Sequence, residues 1–163
     1  MMNIMLPKIS IYTDGSCRNN GSDNAVGAWG FIVVDEYNEI IQKAHGCVLE
    51  GATNQRMELI AVLQACYWAY EHCPDRQIQI FSDSAYLCNA YQQNWVIRWE
   101  HNNWMTAMKT PVKNRDLWER LSKFFKDFRY DFCKVKGHAT DYYNNMVDQL
   151  VQSATLWIKN GDN

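Results

Sequence analysis

Residues 9–16 read Ile9-Ser10-Ile11-Tyr12-Thr13-Asp14-Gly15-Ser16, an alternating apolar strand that runs into a carboxylate and then breaks at a glycine. Alternation puts Ile9, Ile11 and Thr13 on one face and Tyr12 and Asp14 on the other. An aspartate at the last position of such a strand, next to sheet interior, holds a charge that is costly to bury without a partner. A single Asp-Gly of this kind is ordinarily an Asx-turn. Here the situation recurs: Arg76-Gln77-Ile78-Gln79-Ile80-Phe81-Ser82-Asp83-Ser84 is again an apolar strand ending in aspartate and a small residue. Two strands ending alike, side by side in one sheet, bring two carboxylates together. That is a metal site in outline.

Composition bounds the rest. With 163 residues and 47% hydrophobic content, one compact domain with a full core is expected. The chain has no run of 18 apolar residues and no leader with a charged start and small-residue cleavage site, so a soluble, unexported, cytoplasmic monomer is expected, without membrane contact. Cys17, Cys47, Cys66, Cys73, Cys88 and Cys133 lack CxxC or Cys/His spacing, and several fall in apolar runs. Buried free thiols in a reducing compartment are expected rather than bridges or zinc ligands. Net charge is −2 but unevenly spread: residues 109–136 carry nine Lys/Arg and four acids, a local +5 that leaves −7 elsewhere. A basic lobe beside an acidic cluster suits a phosphate backbone on one side and metal ions on the other. A solvated amphipathic face would carry the same charges.

Working outward, the first strand spans about 8–14 and the Asn/Gly/Ser-rich stretch 17–24 is a loop. Val26 to Val34 and Glu39 to Leu49 form an antiparallel pair turned at Asp35-Glu36-Tyr37-Asn38. Thr53 to His72 reads as a helix capped by Thr53 or Asn54, with Ile60, Leu63, Tyr67 and Tyr70 on its buried side and Leu59, Val62 and Cys66 widening it. A helix between strands predicts a parallel return for the Ile78 to Phe81 strand. Ser84 to Gln92 is a short helix. Residues 114–128 form an amphipathic one, with Leu117, Leu121, Phe124, Phe125 and Phe128 facing in. A last strand, 130–135, precedes a closing helix from about 141 to 159 whose Val147, Leu150, Val151, Ala154 and Ile158 face the core. The pattern predicts an α/β layer fold: a five-stranded mixed sheet, three strands in an antiparallel meander and two parallel, flanked by helices.

Four carboxylates stand out by position: Asp14 and Asp83 at strand ends, Glu58 near a helix start, and Asp148 beside the apolar stripe of the last helix. His138 lies on the loop ahead of Asp148. Singly, such acids favour a helix dipole or face solvent, and a lone histidine is structural. As a set they occur in Tyr12-Thr13-Asp14-Gly15-Ser16, Thr53-Asn54-Gln55-Arg56-Met57-Glu58-Leu59, Ser82-Asp83-Ser84, Gly137-His138-Ala139 and Asn144 through Asp148. From about Lys8 to Ala154 the chain resembles ribonuclease H of the type 1 class. The resemblance implies the ribonuclease H-like fold and a metal-dependent endonuclease that cuts the RNA strand of an RNA–DNA hybrid, leaving 3′-hydroxyl and 5′-phosphate ends. It implies two Mg²⁺ ions about 3.5–4 Å apart, with Mn²⁺ as a substitute. Asp14 would bridge them and Glu58, Asp83 and Asp148 would complete the shells, while His138 would assist proton movement or product departure.

Substrate contacts follow from the same resemblance. Asn54, Gln55 and Asn20 match positions that touch the RNA strand's 2′-hydroxyls and minor groove. Thr53 and Asn114 match a pocket for a phosphate of the DNA strand, with Arg56 nearby. The segment 91–111, with Trp95, Trp99 and Trp104, matches a basic protrusion that grips the DNA strand, but between Trp95 and Thr110 its cations are only Arg98 and Lys109, opposed by Glu100. Local packing of a small helix pair explains the tryptophans equally well. Two further departures are Thr140, where many relatives have glycine, and Asn144-Asn145, where Asn-Glu is usual. No additional hybrid-binding module is expected before Lys8, and the chain reads as freestanding rather than as the tail of a reverse transcriptase. Integrases, transposases and resolvases share the sheet and the carboxylates, and a non-catalytic hybrid-binding module is the remaining alternative. The stretch from Thr53 to Glu58 and the Trp-rich insertion favour ribonuclease H, and possession of all four carboxylates favours catalysis.

Overall fold

The computed structural model describes residues 7–135 and 141–161, with side chains at 141 and 157–161 left aside. Strands β1 (Lys8–Arg18), β2 (Val26–Val34), β3 (Ile40–Val48), β4 (Gln77–Ser82) and β5 (Tyr130–Lys134) make one sheet in the order β3-β2-β1-β4-β5. The first three pair antiparallel, while β4 runs parallel to β1 and β5 parallel to β4. This is the predicted meander with two parallel strands. Helices α1 (Asn54–His72), α2 (Ala85–Gln92), α3 (Trp95–His101), α4 (Arg115–Phe125) and α5 (Asp141–Gly161) complete it. Three helices therefore separate β4 from β5, one more than the pattern predicted. The extra one, α3, is too short to show a periodic stripe.

The sheet is covered on both faces. On one, Ile9, Ile11, Phe31, Val33, Ile78 and Ile80 pack with Leu59, Val62 and Cys66 of α1, and with Leu117, Trp118, Leu121 and Phe124 of α4. On the other, Val147, Val151 and Ala154 of α5 sit on Ala28, Ile32 and Val34. Tyr12 stacks on Phe81 on the same side, 4.7 Å between ring centres, so the predicted alternation in β1 holds.

Three boundaries differ from expectation. First, β1 does not stop at Asp14. It pairs with β2 as far as Arg18, because an antiparallel neighbour goes on offering hydrogen bonds where the parallel one has ended. Second, the buried side of α1 is centred on Leu59, Val62 and Cys66 with Ala61, Ala65 and Ala69. Ile60 and Tyr67 are half-buried and Tyr70 is exposed, since small residues let the helix lie close on both the sheet and α4. Third, α4 ends at Phe125. The Asp127 carboxylate accepts from the Arg129 N–H (2.9 Å), a local turn that competes with the helix and leaves Phe128 out in solvent. In α5, Leu150 is half-buried, and the Ile158 side chain lies outside the described residues. All six cysteines are free: Cys66, Cys73 and Cys88 are buried as expected, Cys17 and Cys133 are half-buried, and Cys47 is exposed.

Candidate active site

The site begins where β1 and β4 part. Their pairing ends at Tyr12 and Phe81, and the Thr13 hydroxyl donates to the Phe81 carbonyl (2.8 Å), closing the ladder with a side chain. Beyond it lies a notch at the carboxyl ends of parallel strands, with Asp14 on one lip and Asp83, the residue after β4, on the other. The strand-end reading of Asp14 is thus corrected for β1 as a whole, although Asp14 does stand past the end of the β1–β4 ladder.

Glu58 enters from α1. The helix is started by Thr53, whose hydroxyl accepts the Arg56 N–H at 3.1 Å. Gly15 lets the helix approach. A Cβ there would lie 2.2 Å from the Met57 carbonyl carbon and 2.5 Å from the Glu58 nitrogen, so any side chain would push α1 away from Asp14. From the opposite face α5 brings Asp148, near enough to help raise the Asp14 carboxyl. Four acids from β1, α1, the end of β4 and α5 therefore meet in one notch.

Their electrostatics follow from that crowding. The Asp14 carboxyl is pushed up to about 8, chiefly by burial, then by the charge of Asp83 and by Asp148, against a lowering bond from the Gly15 N–H. Glu58 is raised by burial and by Asp83, and a hydrogen bond to Ser84 opposes the rise. Asp83, exposed at its outer edge, is raised by loss of water around its carboxyl and by Asp148, while Lys134 pulls it down. The donor set is entirely hard oxygen and anionic, which fits Mg²⁺. Among the described residues no three such groups converge tightly enough to cage a single ion. Mg²⁺ does not need a cage, because it is bound through one or two carboxylates and fills its other positions with water and substrate oxygens.

Three residues of this site were not read from the sequence. Ser84 is buried, accepts the Leu87 N–H at 3.1 Å as the cap of α2 and bonds Glu58; only its cap position was legible. Gln152 donates to Asp148 at 3.0 Å, one turn along α5. Lys134 is brought beside Asp83 by β5. For the last two the sequence carried no signal.

The residues expected to meet the substrate fall into groups. Asn54 accepts from the Cys17 N–H (2.8 Å) and Asn20 accepts from the Asn54 N–H (3.3 Å), which ties the loop after β1 to the start of α1; Gln55 stands exposed beside them. Arg56 donates to Asn114 (3.2 Å) and in two-pronged fashion to Asp116 (3.0 and 2.8 Å), so Thr53, Arg56 and Asn114 do come together. In the protrusion Trp104 is buried and Trp95 and Trp99 are half-buried. Trp99 packs on Trp95, Trp104 and Trp118 with ring centres 6.0, 6.2 and 5.5 Å away. Packing occupies much of their surface, while Trp95 and Trp99 still line a shallow cleft with Arg98, Asn102, Met105, Thr106 and Ala107. Glu100 does not oppose the cations there: it turns to α4 and bonds Ser122 and Lys126. Part of the basic lobe is engaged within the protein. Arg115, Lys126 and Arg129 are paired with Glu119, Glu100 and Asp127, and Lys123 sits over the rings of Tyr67, Tyr70 and Phe124. His138 lies outside the described residues.

Comparison with known proteins agrees with this fold. A ribonuclease H of Clostridium botulinum is 44% identical over 150 residues, covering 91% of this chain and 96% of its own. A ribonuclease H of Caldicellulosiruptor saccharolyticus is 40% identical over 148 residues, with the same coverage. Among solved structures, a foamy viral protease-reverse transcriptase in complex with dsDNA superposes with a TM-score of 0.79 at 21% identity, over 94% of this chain and 97% of that one. LC9-RNase H1, a type 1 RNase H with the type 2 active-site motif, gives 0.70 at 23% identity, over 94% of this chain and 76% of that one; at such identities the likeness concerns the fold. Residues 7–155 match the RNase H family, and on that match, together with the 44% identity over nine-tenths of its length, the chain belongs to the ribonuclease H family.

Proposed function

We propose that this protein, read as a single catalytic domain, is a metal-dependent endonuclease cutting the RNA strand of RNA–DNA hybrids to 3′-hydroxyl and 5′-phosphate ends. Hydrolysis of RNA in such hybrids is the activity of the family to which it belongs. The observation that carries the reading is the notch in which Asp14, Glu58, Asp83 and Asp148 meet, with the Asp14 carboxyl held near 8 by its neighbours. A protein keeps mutually repelling acids together where a cation is to relieve them.

Asp14, Glu58, Asp83 and Asp148 would hold two Mg²⁺ ions, with Asp14 at the centre of the set; Mn²⁺ would substitute. Magnesium, when bound, supplies positive charge to offset that developing on the phosphoryl oxygens. The chain's own residues do the placing. Ser84 fixes Glu58 and Gln152 holds one oxygen of Asp148. Asn20, Asn54 and Gln55 form a polar edge suited to 2′-hydroxyls, the groups by which a protein tells RNA from DNA. Trp95 and Trp99, which line the cleft of the protrusion, would meet the DNA strand, with buried Trp104 as their support. His138 would move a proton or speed product departure. A monomer in a reducing cytoplasm suits the free cysteines, and among the described residues no helix is long and apolar enough to cross a membrane. The test is cleavage of matched RNA–DNA, RNA–RNA and DNA–DNA duplexes, with Mg²⁺ and with chelator. Magnesium-dependent cutting confined to the hybrid is expected, and cutting of DNA–DNA or in chelator would refute the reading.

A further inference from the structure

The start of α1 and the start of α4 converge on the Arg56 guanidinium. Around it the side chains are arranged as donors. Thr53 accepts the Arg56 backbone N–H, which leaves its hydroxyl proton free to donate, and Asn114 gives its carbonyl oxygen to the guanidinium, which leaves its amide N–H₂ to donate. Asn114 is held at a left-handed φ of 61° and makes no side-chain cap on α4, so its side chain is committed to Arg56. The anion that Arg56 holds is Asp116, gripped by both of its Nη atoms. A carboxylate held in a fork by arginine has the geometry of an arginine-bound phosphate. It is an anion site with an anion already in it.

We propose that Asp116 is an internal competitor for the substrate's phosphate, a residue that sets hybrid affinity by occupying Arg56 until a backbone phosphate displaces it. The inference rests on the hybrid-cleaving function proposed above. The pair is built to be displaced: the Asp116 side chain is 62% and the Arg56 side chain 28% exposed, and an ion pair so exposed is weak. Among the described residues only the Nη atoms of Arg56 are engaged, so its Nε–H edge can take a phosphate before the carboxylate leaves. Released, the Asp116 carboxylate stays in the first turn of α4, where the helix dipole favours a negative charge.

The test uses the whole chain with Asp116→Asn and Asp116→Ser, both of which keep an oxygen for the first turn of α4. Melting temperature checks that each folds. Steady-state cleavage of one hybrid and hybrid affinity across a salt series in Ca²⁺ are measured for these variants, for Arg56→Ala, for the double variants, and for Glu119→Gln as a charge control one turn further on. Neutralising Asp116 is expected to lower KM on the order of 3- to 10-fold, to leave kcat within about twofold, and to steepen the logarithmic salt slope by up to about one. In the Arg56→Ala background the effect should vanish. A raised KM would make Asp116 a support for Arg56 and overturn the proposal. So would an equal fall in the Arg56→Ala background or in Glu119→Gln, which would be a general field effect. Failure of the unaltered protein to cut any hybrid would instead withdraw the proposed function, and this inference with it.

Discussion

Replacing Asp14 by asparagine should destroy the activity and stabilise the metal-free fold. Asp14 is 8% exposed and its carboxyl is pushed up to about 8, while the unfolded chain ionises it near 3.8. Because the folded-state value is the higher one, the stability tied to this group is complete below about pH 4 and is lost as pH rises through about 8. Each pH unit between the two values is worth about 1.4 kcal/mol. At pH 7 the wild-type protein has therefore forgone at most about 4 kcal/mol, and about half of that once water enters the notch. Asparagine mimics the protonated acid. Its oxygen can accept the Gly15 N–H and its amide can donate to Asp148, so a gain of about 2–4 kcal/mol is expected, raising Tm by about 5–15 °C for a chain of this size. The assay is thermal unfolding of both proteins in chelator from pH 4 to pH 8.5, followed by cleavage in Mg²⁺. The Tm difference should be small at pH 4 and widen to pH 8, and Mg²⁺ should raise the wild-type Tm more than that of the variant. A difference independent of pH, or wild-type turnover in the variant, would refute the reasoning.

His138→Ala should lower turnover about 10- to 100-fold with little change in hybrid affinity, the span of an acid–base group; unchanged turnover in a steady-state assay would return His138 to a structural role. Gly15→Ala should cost about 3 kcal/mol or more in urea unfolding and drop cleavage at least tenfold, since the new methyl meets the α1 backbone rather than a yielding side chain. Added cations on the protrusion belong at Ala107 and Met108 rather than at Asn102, Asn103 and Thr106. Asn103 has a φ of 54°, and Asn102 and Thr106 hold the loop through bonds to Met105 and Thr110. Lysines at Ala107 and Met108 should tighten hybrid binding and steepen its salt slope by up to about one per phosphate newly met. An unaltered slope would leave the Trp-rich segment as a packed insertion.

The sequence alone carried the sheet, because period-two alternation in β1, β4 and β5, the apolar run of β2 and the turn residues between strands all act locally. The positions of the four acids were visible in the same way, each unremarkable alone, and the resemblance to ribonuclease H joined them into a set. What the sequence did not carry is who faces whom. That Asp14 is interior to β1, that Phe128 is in solvent, and that Tyr70 lies off the buried side of α1 depend on which neighbour continues and which ends. Charge was the least legible feature. Residues 109–136 count as strongly basic, yet Lys126 belongs to Glu100, Arg129 to Asp127 and Arg115 to Glu119, and outside that stretch Arg56 belongs to Asp116, 60 positions away. Composition sums charges along the chain, whereas the potential a nucleic acid meets is summed through space. Only the packing of α1, α3 and α4 decided which of those cations the surface still offers.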